Sequence, residues 1–195
     1  MNIFENIKDQ VLSLFDHNGW IKWIHQGTIA PYTQEIRKEN VERASLGEHC
    51  AVCLNLNECC FPKNNMPVYS HHFHCHCRLE PATKINFKAE CSIDKFTKYA
   101  FVPRDKDDKS DLFKNLGYDI MDSQWLQQEF CRPAQEKYAE GEFSLFKLSD
   151  YGQQINIQIT LPRKDGSGSV TFESGWMVGP NGTIQLVTPF AGRTK

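Results

Sequence analysis

Eleven of the fifteen cysteines and histidines in this 195-residue chain fall between His49 and Cys77. They read His49-Cys50-Ala-Val-Cys53, then Cys59-Cys60, then His71-His72-Phe-His74-Cys75-His76-Cys77. Two groups of soft ligands about twenty residues apart are what a structural zinc site needs, because zinc takes four sulfur or nitrogen ligands in a tetrahedron. Cys50 and Cys53 form a C-x-x-C knuckle, which lets two thiolates converge on one ion. The second half is His72-x-x-Cys75-x-Cys77, so five residues compete for four positions. If 75–78 is extended, Cys75 and Cys77 point to the same side and the set is all cysteine. If His72 and Cys75 share a first helical turn, they make the second pair instead. The four-cysteine set is preferred and His72 stays a candidate. Cys59, Cys60, His71, His74 and His76 read as bystanders. A catalytic zinc site would need an open position and a nearby base, and the H-x-E with a later P-C-x-x-C of zinc deaminases is absent.

The elements that must carry this cluster are legible in part. Residues 2–16 place Ile3, Phe4, Ile7, Val11, Leu14 and Phe15 on one helical face. An apolar patch follows in Trp20, Ile21, Trp23 and Ile24. Residues 33–44 predict a solvated helix, with Ile36 and Val41 as sparse apolar points. After the cysteine segment, 85–89 alternates as a short strand or extended linker. Residues 92–100 predict a short helix with Ile93, Phe96 and Tyr99 inward. A helix capped by Asp107 or Asp108 should bury Leu112, Phe113 and Leu116 and stop at Gly117. Asp122 should cap the next helix, with Met121 as a hydrophobic staple, Trp125, Leu126 and Phe130 inward, and Pro133 either ending it or beginning the next.

The last third changes period to two. Ile155, Ile157 and Ile159 alternate with polar residues, as do Val170, Phe172, Ser174, Trp176 and Val178. Residues 164–168 make a turn, and Asn181-Gly182 is a hairpin signal before Ile184, Leu186, Thr188 and Phe190. The expected fold class is α+β: helices first, then a twisted antiparallel meander. Three segments are expected: a helical N-terminal part at 1–46, a zinc-binding module at 47–81 and an α+β domain at 82–195.

Composition narrows the classes. The chain is 40% hydrophobic and 24% charged, with net charge −2, so no overall electrostatic pull toward nucleic acid exists. No apolar run reaches the ~18 residues of a membrane span. The N-terminus lacks a signal-peptide pattern, and eight cysteines then suggest a reducing compartment with metal binding in place of disulfides. The expected location is the cytoplasm, or a target-cell cytoplasm after delivery.

The segment Cys50-Ala-Val-Cys53…Met66-Pro67…His72-Phe-His-Cys75-His-Cys77-Arg78-Leu79 resembles the C-terminal end of Mu-type phage minor head proteins. That family has a C-x-x-C, a Pro-containing spacer and an H-P-N-C-R-C-like ending; here Phe73-His74 replaces Pro-Asn. The resemblance implies a prophage or polymorphic-toxin context. Residues 90–193 are similar to toxin-associated domains and to the barnase–EndoU–colicin–RelE ribonuclease fold, in which helices precede a four-stranded antiparallel sheet. The similarity rests on 95–99, 109–118, Asp150-Tyr-Gly152, Gly175-Trp-Met-Val178 and Leu186-Val-Thr-Pro-Phe190.

That second resemblance implies metal-independent RNA cleavage through the 2′-OH, with RNA as substrate and an immunity or antitoxin protein as partner. Such cleavage needs a base, an acid and a cation for the phosphorane. No histidine lies after His76, so lysine, arginine and hydroxyl groups must serve. The resemblance points to Lys109 and Thr188 as the catalytic pair. Arg163, Arg132 or Arg193 would hold a phosphate. Trp176 belongs either to the core or to a base-stacking platform. The other class open to this chain is a non-catalytic, zinc-stabilised interaction module of a phage or toxin system.

Overall fold

The structure is a computed structural model and describes residues 19–25, 34–45, 50–68, 77–103 and 110–193. The fold is α+β. The chain divides into two compact units. One takes residues 1–87, 145–154 and 178–183; the other takes 88–144, 155–177 and 184–195.

The first unit holds a three-stranded antiparallel sheet. Strand β1 (Trp20–Ile24) lies between β2 (Cys60–Pro62) and β3 (Arg78–Pro81). The register pairs Ile21 with Phe61 and Pro81, Trp23 with Leu79, and Ile24 with Arg78. Ile21, Trp23 and His25 alternate inward along this central strand, as period two requires. The apolar patch expected at 20–24 is thus a strand with one buried face.

Two helices accompany that sheet, α1 (Gln34–Ser45) and α2 (Ala51–Leu56). The sequence predicts α1 as solvated apart from Ile36 and Val41. The side chains it buries are polar instead: Arg37 and Asn40. Arg37 donates through Nη1 to the Tyr151 carbonyl and through Nη2 to the Val178 carbonyl, both at 2.7 Å. Asn55 of α2 donates to the carbonyls of Arg37 and Asp150, and its Oδ1 accepts from Asn40 at 3.0 Å. Apolar periodicity misses this helix because hydrogen bonds to backbone carbonyls, not side-chain area, hold its inner face. A side chain at Gly152 would press on that guanidinium, its Cβ falling 2.8 Å from Arg37 Nη1.

The second unit is built by apolar alternation. After β4 (Lys88–Glu90), a single π-helical turn at Phe96–Ala100 buries Phe96 and Ala100, while Ile93 and Tyr99 stay at least partly exposed. Helix α3 (Ser110–Asn115) buries Phe113, Leu116 follows it inward, and Gly117 reverses the chain at φ +88°. The expected Asp107 or Asp108 cap lies outside the described residues, as does the helix expected at 2–16.

The start of α4 (Ser123–Glu140) differs from the sequence expectation. Asp122 does hold the N-cap position of α4, but its side chain bonds no N–H of that helix; the side-chain cap is Asp119. It closes a capping box over the 3₁₀ turn Ile120–Asp122, with Met121 N–H donating to Asp119 Oδ1 and Asp119 N–H donating to Asp122 Oδ2. Met121 is 86% exposed and staples nothing. Trp125 is also partly exposed, stacked on Tyr118, while Leu126 and Phe130 are buried as expected. Pro133 lies inside α4 without ending it. One lost N–H is outweighed by the burial of Leu126, Phe130, Ala134 and Tyr138 along the helix. Gly141, at φ +76°, ends it instead, with Glu142 N–H returning to the Lys137 carbonyl.

Strands β5 (Ser144–Ser149), β6 (Gly152–Pro162), β7 (Ser169–Val178) and β8 (Thr183–Arg193) follow, in a sheet of order β4-β8-β7-β6-β5. Turns this short join only antiparallel neighbours, so β5 to β8 form a meander. Asn181 and Gly182 both take positive φ, at 52° and 86°, as a type I′ hairpin demands. Ile155, Ile157, Ile159 and Leu161 are fully buried. In the second unit, Phe96, Phe113, Phe130 and Phe172 make a ring cluster with centroids 5.2–6.3 Å apart. Each such side chain contributes about 1.5–3 kcal/mol on burial. No helix among the described residues is long and apolar enough to cross a membrane.

Candidate metal centre

Three ligand-bearing side chains converge in the first unit. His25, Cys53 and Cys77 are all buried, and their ligand atoms lie within 4.8 Å of one another. This cluster could hold a metal ion. Cys77 Sγ is 3.5 Å from His25 Nδ1. Bond lengths of about 2.3 Å to sulfur and 2.1 Å to nitrogen at a tetrahedral angle put two such ligands about 3.6 Å apart. The donor set therefore fits a small, thiophilic cation without rearrangement of that edge.

The backbone explains why these three meet. His25 follows the last residue of β1 and Cys77 precedes the first residue of β3. The pairing of Ile24 with Arg78 carries the next positions, 25 and 77, side by side. His25 is further fixed by its backbone N–H, which donates to Asn57 Oδ1 at 2.8 Å. Asn57 is the residue that ends α2, the helix that carries Cys53 in its first turn. One amide side chain thus ties the histidine's strand to the cysteine's helix.

Of the five ligands expected from the sequence, Cys53 and Cys77 come together. Cys50 sits at the N-terminal boundary of α2 and is not in the cluster. His72 and Cys75 lie outside the described residues, as do His71, His74 and His76. His25 is the ligand that sequence reasoning missed, because it stands 28 positions before Cys53 and outside both ligand groups. Its signal was the strand period: Ile21, Trp23 and His25 share one face, and the last of these is a buried histidine.

Cys59 and Cys60 are buried but have different surroundings. Cys59 Sγ donates to the Asn55 and Val178 carbonyls, and Cys60 Sγ to the Glu58 carbonyl. Burial pushes Cys59 up to about 12 and Cys60 up to about 11, against the pull of Arg37 and Lys22 respectively. Both thiols stay protonated near neutrality, and a protonated thiol is a poor metal ligand.

The residues proposed for RNA chemistry fall as follows. Lys109 lies outside the described residues. Thr188 is half-buried in β8, and its hydroxyl donates to the Phe190 carbonyl at 3.0 Å. Burial alternation in β8 stops at Leu186, and Pro189 is buried in place of Thr188. Trp176 is fully buried and its Nε1–H donates to Ser174 Oγ at 2.7 Å, which leaves no ring face for a base. Ser174 in turn donates to the Ile157 carbonyl. Arg163 donates to the Asn115 carbonyl, and Arg132 pairs with Glu129 one helical turn away. The side chain of Arg193 lies outside the described residues.

No protein-family model, no curated protein and no solved structure matches this chain.

Proposed function

We propose that this chain is a zinc-stapled interaction protein of a phage or toxin system, with a metal centre that is structural. The observation that carries the reading is the buried His25–Cys53–Cys77 cluster. Zinc is the ion that suits two thiolates and an imidazole in a tetrahedron, and the fourth ligand comes from Cys50, His72 or Cys75. Bound zinc would supply four strong bonds that fasten β1, α2 and the approach to β3 to one point. Burial of all three residues argues against a water-filled catalytic position. The role of the chain is then to present its surface to a protein partner.

The test is metal analysis of the purified chain. One zinc per chain is expected, with loss of zinc in Cys53→Ser, Cys77→Ser and His25→Ala. A chain that folds fully with no bound metal refutes the structural site.

A second reading is favoured by element order: α3 and α4 precede the four-stranded meander β5–β8, as in the ribonuclease fold that residues 90–193 resemble. Under it, Lys109 and Thr188 would act on the RNA phosphate and 2′-OH, with an immunity protein as partner; Arg163 pairs with Gly168 at the far end of β6, away from the Gly175 that Thr188 touches. Incubation with total tRNA or rRNA separates the two readings. Cleavage lost in Lys109→Ala and Thr188→Ala supports the enzyme; intact RNA at high protein concentration supports the interaction protein.

A further inference from the structure

Two cysteines outside the ligand-rich segment lie against each other in the second unit. Cys91 directly follows β4, and Cys131 lies in the middle of α4. Gln127, Cys131 and Gln135 are spaced four apart and so share one face of that helix. The two glutamines hold the β4 segment along this face. Ala89 N–H donates to Gln135 Oε1, and Gln127 Nε2–H donates to the Cys91 carbonyl. Cys131 sits between these two bonds, facing the chain where Cys91 lies. The two thiols are close enough for each to shift the ionisation of the other. Cys91 is buried and Cys131 is partly exposed.

We propose that Cys91 and Cys131 form a redox-active dithiol, which a hydroperoxide converts to a disulfide joining the end of β4 to the middle of α4.

The two sulfurs have distinct parts. Their contact raises the Cys91 pKa, with burial adding to the rise, and lowers that of Cys131. Cys131 is also the one that solvent reaches. It is therefore the attacking thiolate. Its sulfur takes the terminal oxygen of the peroxide, the O–O bond breaks, and the leaving oxygen departs as water or alcohol after gaining a proton. Cys131 is now a sulfenic acid. Cys91 sulfur then attacks Cys131 sulfur, the S–O bond breaks, and the hydroxide leaves as water with the proton of the Cys91 thiol. Two thiols have lost two electrons and one peroxide has gained them. The burial that makes Cys91 a poor first target makes it a resolving thiol positioned in advance. The closed loop would contain about forty residues, and a cross-link of that span restricts the unfolded chain substantially.

The experiment uses the full, zinc-loaded chain. It is treated with hydrogen peroxide in small excess, alkylated and digested, and every cysteine is mapped by mass spectrometry, with free zinc followed in parallel. The expected first product is a Cys91–Cys131 peptide pair, 2 Da lighter than the dithiol and reversed by dithiothreitol, before zinc release. The thermal midpoint should rise by about 5 °C or more on oxidation. In Cys91→Ala the sulfenic acid has no resolving partner, so dimedone should tag Cys131 strongly; in the wild type the tag should be scarce. Cross-links that form first elsewhere overturn the proposal. Equal dimedone labelling of Cys131 in the wild type and Cys91→Ala also overturns it, because Cys91 would then not resolve the intermediate.

Discussion

The two units of this chain are held together by different chemistry. In the second, Phe96, Phe113, Phe130 and Phe172 pack ring against ring, and β6 adds Ile155, Ile157 and Ile159. In the first, apolar side chains such as Ile21, Trp23, Leu54, Leu56 and Phe61 share the interior with His25, Arg37, Asn40, Asn55 and Asn57, and with Cys53, Cys59 and Cys77. An apolar core tolerates modest changes of shape, because the hydrophobic effect has no direction. A polar core fails when one partner is removed, because the group left behind keeps its desolvation cost. The difference predicts which substitutions each unit accepts.

The largest effect should come from the ligand cluster. Cys77→Ser, or chelation of the wild type, should abolish hydrogen-exchange protection across β1, α2 and β3, since structural zinc contributes on the order of 10 kcal/mol to such modules. Protection along α4 and the inner part of β6 should persist. Equal loss in both units would mean that the metal centre stabilises both alike.

Next in size is Phe130→Ala. It removes the ring that touches Phe96, Phe113 and Phe172, and should cost about 3–5 kcal/mol in chemical denaturation of the second unit. Its zinc content should match the wild type.

Arg37→Met keeps the volume of the side chain but removes the guanidinium from the carbonyls of Tyr151 and Val178, leaving the latter only the weak Cys59 thiol donor. A loss of about 2–4 kcal/mol is expected in the first unit. Arg37→Lys should recover only part of it, because one ammonium replaces a fork that reaches two acceptors. Full rescue by lysine would mean that charge, not geometry, matters at this position.

The smallest effect is at the surface. Lys164 lies 2.8 Å from Asp122 and holds its carboxyl below the ordinary value, with the Asp119 N–H helping. A carboxylate with a depressed folded pKa contributes stability above its unfolded pKa and loses it as pH falls through the folded one. Asp122→Asn should therefore flatten the acid side of the stability profile, below about pH 4. The change should be slight and should vanish in high salt, since the pair is exposed.

Legibility in the sequence follows the same divide. Most of the meander was readable because β6, the first part of β7 and β8 up to Leu186 bury every second residue and Asn181-Gly182 marks one turn; β5 buries none in alternation. The aromatic cluster was readable as helical spacing around Phe113 and Phe130. At the metal centre, Cys53 and Cys77 were visible from their spacing, whereas His25 was not. Its place depends on the pairing of Ile24 with Arg78, a contact between distant segments that no local window contains. Arg37 and Asn40 were hidden for a related reason: a polar residue buried by distant carbonyls looks the same in sequence as one facing water. Asp122 stands at the head of α4 as its sequence suggests, yet its carboxylate turns back to the Asp119 N–H, a bond set by the 3₁₀ turn between them.

The hydrogen bond from Arg37 to Val178 spans 141 residues and so carries a clock. At 5–20 residues per second, a ribosome needs about 7–28 s to deliver the acceptor after the donor. The Tyr151 carbonyl arrives first, 114 residues behind, and Val178 completes the fork. Over that interval the guanidinium fork is incomplete, although Asn40 of α1 can already meet Asn55 of α2. The N-terminal residues of the first unit are therefore made early and finished late. A nascent chain arrested within β7 would carry its ligand-bearing cysteines without the interior that later shields them.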